Sequence, residues 1–551
     1  MHVLGSRLLF KIKSDGRYKT RWVIRGDQQK EGIDYDETFA PVVRYTTLRT
    51  MLAKAAATDM LLESMDVDTA FLYGELDDGE DVFTTLPPDF ELPVEFAGVP
   101  RSDLCCKLLK SVYGLKQAPR KWNQKLDSTL KSIGFSQSLH DSCLYYLIEA
   151  DTECFLSIFV DDIVIAASTA ALMQRVKSLL SSKFKMKDLG PLSKVLGINI
   201  TRDISTGIVH LHMADYIDAL ATKFSVRPPT SSSRVPISPM EDRLHLRPSE
   251  DTPPAWHYEY RSAIGALMYL MTSCRPDIAF AVGYLARFMT CYGSEHYQAL
   301  DRLLAYVVST PFLGIKYGIT KDLTLLAYCD ADWGGDSKTL RSTSGYIFYL
   351  AGGPISWKSR VQPSVTLSSA ESEYVCLTLG AQEGTYLRFI CGDLRIQQYS
   401  IANPDPVNIY EDNMAAIAMS YNPVNHDRSK HILIKQHFIR EQIANHTVTL
   451  SHIPTQYQLA DLLTKPVSNA IFSRLVSPFM GHSPAPWPLS SSTISTTSTT
   501  KPTTTTAFSV IGSQCNQSSF HQKRKREEQS VATGLSSLQS SKHRWLGQRR
   551  Y

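Results

Sequence analysis

The sequence predicts an α/β (α+β) chain in which two strand-and-helix parts flank a helical block, with an unpatterned tail at the C-terminal end. Three observations carry this. Strand-like and helix-like periodicities alternate through residues 1–225 and again through 323–470. Between them a Pro- and Ser-rich stretch, 226–254, reads as a linker, and 255–322 reads as a mostly helical block. From 471 to 551 the pattern gives way to segments such as "SSSTISTTSTTKPTTTT". That composition buries too little apolar surface to offset the entropy of ordering it.

The elements follow in chain order. "TTLRTMLAKAAA" puts Leu48, Met51, Leu52, Ala55 and Ala56 on one helical face, and "LLESMDV" is strand-like and carries Asp66 near its end. "RKWNQKLDSTLKSIGF" has helical spacing through Trp122, Leu126, Leu130 and Ile133. "CFLSIFV" and "IVIAA" enclose Asp161 and Asp162 like the arms of a hairpin, and Leu172, Met173, Val176, Leu179, Leu180 and Phe184 mark the next helix. In the helical block the clearest stripe is Tyr297, Leu300, Leu303, Leu304, Val307 and Val308. "LLAYCDADWGG" is a strand with Asp330 and Asp332 on one face. "SSAESEYVCLTLGAQEGTYLRFI" is a helix, "VNIYEDNMAAIAM" a strand ending at Asp412 and turning into a helix, and "QLADLLTKP" places Asp461 on a final helix.

Composition excludes several classes. The net charge of +4 over 551 residues means that any polyanionic partner is held by local patches and not by total charge. The ten cysteines contain no C-x-x-C pair, which excludes a zinc ribbon and a stapled secreted domain and fits a reducing compartment. No apolar run approaches the roughly 18 residues of a membrane span. The start, "MHVLGSRLLFKIKSDG", lacks a signal peptide's apolar core and cleavage site. An intracellular protein with no membrane partner is the expectation.

Two acid constellations carry the chemistry. Asp161 and Asp162 sit inside an apolar run, where unpaired carboxylates are strongly disfavoured. Asp66 closes another strand, and three carboxylates on neighbouring strands suit a hard divalent cation such as Mg²⁺. Plain turn chemistry, in which an Asp bonds its own backbone, is the alternative for the pair taken alone. Asp330, Glu373, Asp412 and Asp461 form a second such set, again with single explanations open: Asp412 as a helix cap, Asp461 as a solvated helix residue. Ser368 and Glu371 have capping-box spacing, and Glu373 lies about 200° further round the helix, so only one of the two acids can face a site. Glu373 is assigned to the metal and Glu371 to the cap.

Several ordered motifs resemble the reverse transcriptase of copia-type LTR retrotransposons: "KTRWVIRGDQQKEGIDYDETFAPVVRYTTLR", "MDVDTAFLYGEL", "VYGLKQAPRKW", "FVDD" and "VLGINI". "CDADWGGD", "TSGYIFYLAGGPISWKSR", "LSSAESEYV", "YEDNMAAI", "RSKHILIKQHFIRE" and "QLADLLTKP" resemble the RNase H that follows it. The likeness runs from about residue 7 to about 466. It implies a right-hand polymerase, with fingers and palm over 1–225 and a helical thumb and connection over 255–322, followed by an RNase H-like mixed-sheet domain over 323–470.

The resemblance also implies an RNA- and DNA-directed DNA polymerase that adds dNTPs to a DNA primer on an RNA template, with cleavage of RNA in RNA–DNA hybrids. Asp66, Asp161 and Asp162 would hold two Mg²⁺, and Asp330, Glu373, Asp412 and Asp461 would hold two more, with Mn²⁺ as a substitute. Lys19, Arg21 and Arg25 would meet the triphosphate. Phe71 would block a ribose 2′-hydroxyl, and Gly114, Lys116 and Pro119 would line the template and nucleotide side. Phe159 departs from the family's usual Tyr. His452 stands doubtfully where many RNases H carry a mobile histidine, and His431 and His437 would contact backbone or phosphate. The basic run from Lys523 would be a nuclear-import signal, placing the chain in a cytoplasmic particle, the nucleus or both. The competing reading is a truncated or co-opted element fragment that binds nucleic acid without catalysis.

Overall fold

The apolar runs on either side of Asp161 and Asp162 form the centre of a six-stranded antiparallel sheet. The computed structural model describes residues 2–12, 16–77, 79–88, 90–227, 235–250, 255–336, 339–399, 404–421 and 433–486, with the side chains of 433–437 excepted. The basic run from Lys523, most of the low-complexity segment, His431 and the His437 side chain lie outside the described residues. The strand order is Met186–Pro191, Leu61–Val67, Asp162–Ala167, Thr152–Phe159, Leu144–Glu149, Ser136–Gln137. Its two faces are buried by different helices, which is why the central strands read as nearly continuous hydrocarbon. Met65, Ile163, Ile165 and Ile158 pack with Trp122, Leu126 and Leu130 of the helix Ala118–Ser132 and with Met173, Val176 and Leu180 of the helix Ala170–Lys183. The alternate residues Leu62, Val164, Ala166 and Phe155 pack with Leu48, Met51 and Leu52 of the helix Tyr45–Ala57.

Ahead of this sheet, Ser6–Ile12 and Tyr18–Ile24 form an antiparallel hairpin. After it, a four-stranded sheet runs Lys194–Val195, Ile198–Arg202, Val209–His212, Ile315–Tyr317. The expected mostly helical block is helical through Tyr260–Ser273, Ala279–Ala286 and Ser294–Ser309, and Ile315–Tyr317 ends it as a strand pairing with Val209–His212. The described part of the linker is packed, not free: Met240 and Leu246 are buried, and Ser238 Oγ donates to Asn469 Oδ1 at 2.8 Å.

The second α/β part has a mixed five-stranded sheet in the order Gly353–Val361, Thr343–Leu350, Leu326–Asp332, Val407–Glu411, Val448–His452. The first three strands pair antiparallel and the last two join in parallel. The 25-residue helix Ser369–Asp393 packs along it. Two expectations are corrected here. Asp461 lies in a short 3₁₀ turn, Leu459–Leu463, and not on a regular helix. The segment set aside as tail from 471 is helical through Asn469–Phe479, because Phe472, Leu475 and Phe479 recur at helical spacing and bury one face.

The helix Tyr45–Ala57 belongs to both parts. Arg49 Nε donates to Ile355 O at 2.8 Å, and its Nη1 donates to Thr272 O and Ser273 O at 2.9 and 3.0 Å. Lys54 Nζ donates to Leu394 O and pairs with Glu153 at 2.6 Å. Nearby, His140 stacks on Phe389 with centroids 4.5 Å apart and bonds Asp393 through Nδ1 at 3.0 Å.

Candidate active sites

In the first sheet Asp162 is the direct cross-strand partner of Asp66 on one side and of Phe159 on the other. Directly opposite residues share a face, so both carboxylates project from the side that carries Leu62, Val164 and Ala166. Asp161 stands beside them in the two-residue turn, with Val160 at φ 58°. Val67 N donates to Asp161 O at 3.0 Å, which ties the turn to the end of the Asp66 strand. Burial, then Asp161 and Asp66, push the Asp162 carboxyl up to about 6. Asp66 is raised by burial, then by Asp161 and Asp68, against the opposing charges of Lys19 and Lys187. Three half-buried carboxylates that repel one another are the donor set a hard divalent cation requires.

The surrounding residues divide. Lys19 acts on Asp66, and the Arg21 guanidinium lies 5.1 Å over the Tyr113 ring, which meets Phe71 edge-on at 5.3 Å. Arg25 instead pairs with Asp27 at 2.9 Å. Gly114 has φ +95°, and a Cβ there would lie 2.1 Å from Ile24 O, so glycine permits a backbone-to-backbone approach at this point. Lys116 is engaged with the Gln29 and Tyr35 side, its Nζ 3.1 Å from Tyr35 Oη, and Pro119 opens the helix Ala118–Ser132. Within "VYGLKQAPRKW" Tyr113 carries no local signal, and Trp122 reads only as part of a helical face. Their ring contacts cross 40 residues or more of sequence, beyond any local pattern.

In the second sheet Asp330, Glu373 and Asp412 each offer an oxygen within 4.8 Å of the others. Glu373 is almost fully buried, its Oε2 has no partner, and burial followed by Glu411 and Asp330 pushes its carboxyl well above the usual range. Asp412 does not cap the following helix: Asn413 Oδ1 accepts from Ala415 N and Ala416 N at 3.0 and 3.1 Å. Glu371 Oε2 accepts from Leu367 N at 2.7 Å while Ser368 Oγ accepts from Glu371 N, so this acid is spent on the helix start. Asp461 stands apart from the close trio. It pairs with Lys465 at 2.7 Å, and burial and then Asp330 push its carboxyl up to about 7. Lys465 also lies 3.6 Å from Asp330, whose Oδ2 accepts from Thr464 Oγ1. Glu411, fully buried with an unpartnered Oε2, is a further acid behind the trio that the sequence pattern did not separate from its neighbour. His452 is exposed at its strand end.

A family model described as "Reverse transcriptase (RNA-dependent DNA polymerase)" matches residues 1–239. A Ty5-1 transposon protein of Saccharomyces cerevisiae is 33% identical over 56% of this chain and 97% of its own length. The chain belongs to the retrotransposon reverse transcriptases. The retrovirus-related Pol polyprotein from transposon TNT 1-94 of Nicotiana tabacum is 37% identical over 84% of this chain and 34% of the polyprotein. That from transposon RE1 of Arabidopsis thaliana is 39% identical over 86% of this chain and 31% of the polyprotein. This reverse transcriptase chain therefore spans about a third of the length of those relatives. The copia-type resemblance read from the motifs holds, and the chain has the mixed α/β architecture expected with it. No helix among the described residues is long and apolar enough to cross a membrane.

Proposed function

We propose that this chain is an RNA- and DNA-directed DNA polymerase with an attached RNase H, taking dNTPs, a DNA primer on an RNA template, and RNA–DNA hybrid as substrates. The observation that carries the reading is the cross-strand pair Asp66 and Asp162 with Asp161 at the adjoining turn, because that placement crowds three carboxylates, none of which forms an ion pair among the described residues. We assign 1–225 to fingers and palm, 255–322 to thumb and connection, and 323–470 to RNase H, with the Asn469–Phe479 helix closing the last.

The carboxylates of Asp66, Asp161 and Asp162 would hold Mg²⁺, or Mn²⁺ in its place. Bound there, the cations supply charge stabilisation and a lowered pKa at the primer 3′-hydroxyl. The chain's own groups do the positioning. Lys19 and Arg21 project from the hairpin strand on the side of Asp66 and Tyr113, where they meet triphosphate oxygens. The Phe71–Tyr113 pair forms an aromatic wall beside the acids, and its edge-on contact gives Phe71 little freedom to yield to a ribose 2′-hydroxyl. Gly114, Lys116 and Pro119 shape the segment that presents Tyr113 and Trp122. In the RNase H part Asp330, Glu373 and Asp412 would hold the cations, with the orphaned Glu373 Oε2 directed to that role. Lys465, paired to Asp461 and 3.6 Å from Asp330, offsets part of the acids' charge, and Asp461 would complete the cation-holding set at its margin.

The test is extension of a DNA primer on an RNA template with dNTPs and Mg²⁺, comparing the native chain with Asp162→Asn. Extension that is lost in the variant, while hybrid cleavage persists, supports the reading. A folded native chain that binds template–primer but neither extends nor cuts overturns it in favour of a binding fragment.

A further inference from the structure

The turn that carries Asp161 is held in a conformation its own residues disfavour. Val160 has φ 58°, in the left-handed region where a β-branched side chain is a genuine outlier. Asp161 is not among the positive-φ residues, so the turn has the pattern that ordinarily takes glycine at its first central position. Such strain persists only where the surroundings over-determine it. One neighbour does so: the Trp122 indole Nε1 donates to Val160 O at 2.7 Å.

Trp122 is itself fixed. It is 2% exposed and packs edge-on against Phe184 at 5.2 Å and, tilted, against Tyr73 at 6.0 Å. Tyr73 and Phe184 meet edge-on at 5.2 Å, and Tyr73 Oη accepts from Lys185 N at 2.8 Å. Lys185 O in turn accepts from Asp68 N at 2.9 Å, two residues beyond Asp66. One aromatic cluster therefore ties the turn of Asp161 and Asp162 to the strand end of Asp66. We infer that Trp122 is a positioning residue for polymerisation, acting through the Val160 carbonyl to hold the three carboxylates in register. This rests on the polymerase reading of the same site.

The full chain is tested with Trp122→Phe, and with the indole replaced by benzothiophene, which keeps the packing and deletes only the N–H. Deleting the bond leaves a buried carbonyl unpaired, for which a fall in kcat of about tenfold is expected. The KM for dNTP and the template–primer Kd stay within about twofold of native values, and the Mg²⁺ needed for half-maximal rate rises. In a Val160→Gly background, where the turn needs no outside hold, the loss shrinks. A kcat within about twofold of native for the benzothiophene chain, or a loss undiminished by Val160→Gly, overturns the inference.

A second readout does not use turnover. Mn²⁺ binding to the resting chain is measured by calorimetry in a Glu373→Gln background, with and without Trp122→Phe. Weaker Mn²⁺ binding with Trp122→Phe supports the positioning role even if no primer is extended, a result that would refute only the polymerase reading. Equal Mn²⁺ affinity overturns the positioning role.

Discussion

Replacing Arg49 with methionine tests whether the two α/β parts share one core. Arg49 lies inside the helix Tyr45–Ala57 at 4% exposure, with no carboxylate bonded to it. Burial lowers its pKa to about 10 from 12.5, a cost on the order of 3 kcal/mol that Met would not bear. Against that stand three donated bonds, to Ile355 O, Thr272 O and Ser273 O, and a stack over Trp357 at 3.8 Å. Bonds from a charged donor contribute roughly 1.5–3 kcal/mol each, and the cation–π contact about 1 kcal/mol more. The loss exceeds the relief, and three buried carbonyls are left without their donor. Arg49→Met is therefore expected to destabilise the chain by about 2–5 kcal/mol. Guanidinium unfolding followed by limited proteolysis would read it, with fragments from both parts becoming cleavable together at a lower midpoint. An unchanged midpoint, or loss of one part while the other stays protected, would refute the shared core.

Three further outcomes follow from the geometry. Because the Asp162 carboxyl is raised to about 6, the metal-free native chain holds its proton where the unfolded chain, near 3.8, does not. Stability without metal should fall as pH rises from about 4 to about 6, and Asp162→Asn should flatten that slope in thermal melts at successive pH values. Ser368→Ala removes the acceptor at the start of the helix Ser369–Asp393 and should cost about 1 kcal/mol in denaturation while leaving Glu373 in place and hybrid cleavage intact. Gly114→Ala would force a Cβ to within 2.1 Å of Ile24 O at a positive φ and should cost about 3 kcal/mol or more, read as a lowered denaturation midpoint.

What was legible in the sequence was local. The hairpin around Asp161 and Asp162 could be read because apolar arms of strand length bracket a two-residue turn. The phase of Glu373 against Glu371 could be read because a helix turns by a fixed angle per residue, and the structure spends Glu371 on Leu367 N. Other features could not be read because their cause lies far along the chain. Arg49 and Lys54 have the look of a solvated face, yet their acceptors, Glu153 on the Thr152–Phe159 strand and the carbonyls of Thr272, Ser273, Ile355 and Leu394, lie far along the chain and the helix is buried on all sides.

Asp461 shows the limit most clearly. Its leucine neighbours read as one face of an amphipathic helix, but every residue of the 3₁₀ turn Leu459–Leu463 is buried, Asp461 included, so the turn has no solvent side. The same turn brings Lys465 against Asp461 and Asp330. A lysine between two of these buried acids supplies part of the positive charge that their burial demands. Acid spacing alone points to a four-carboxylate cage, whereas the folded chain presents three close carboxylates and an ion pair beside them.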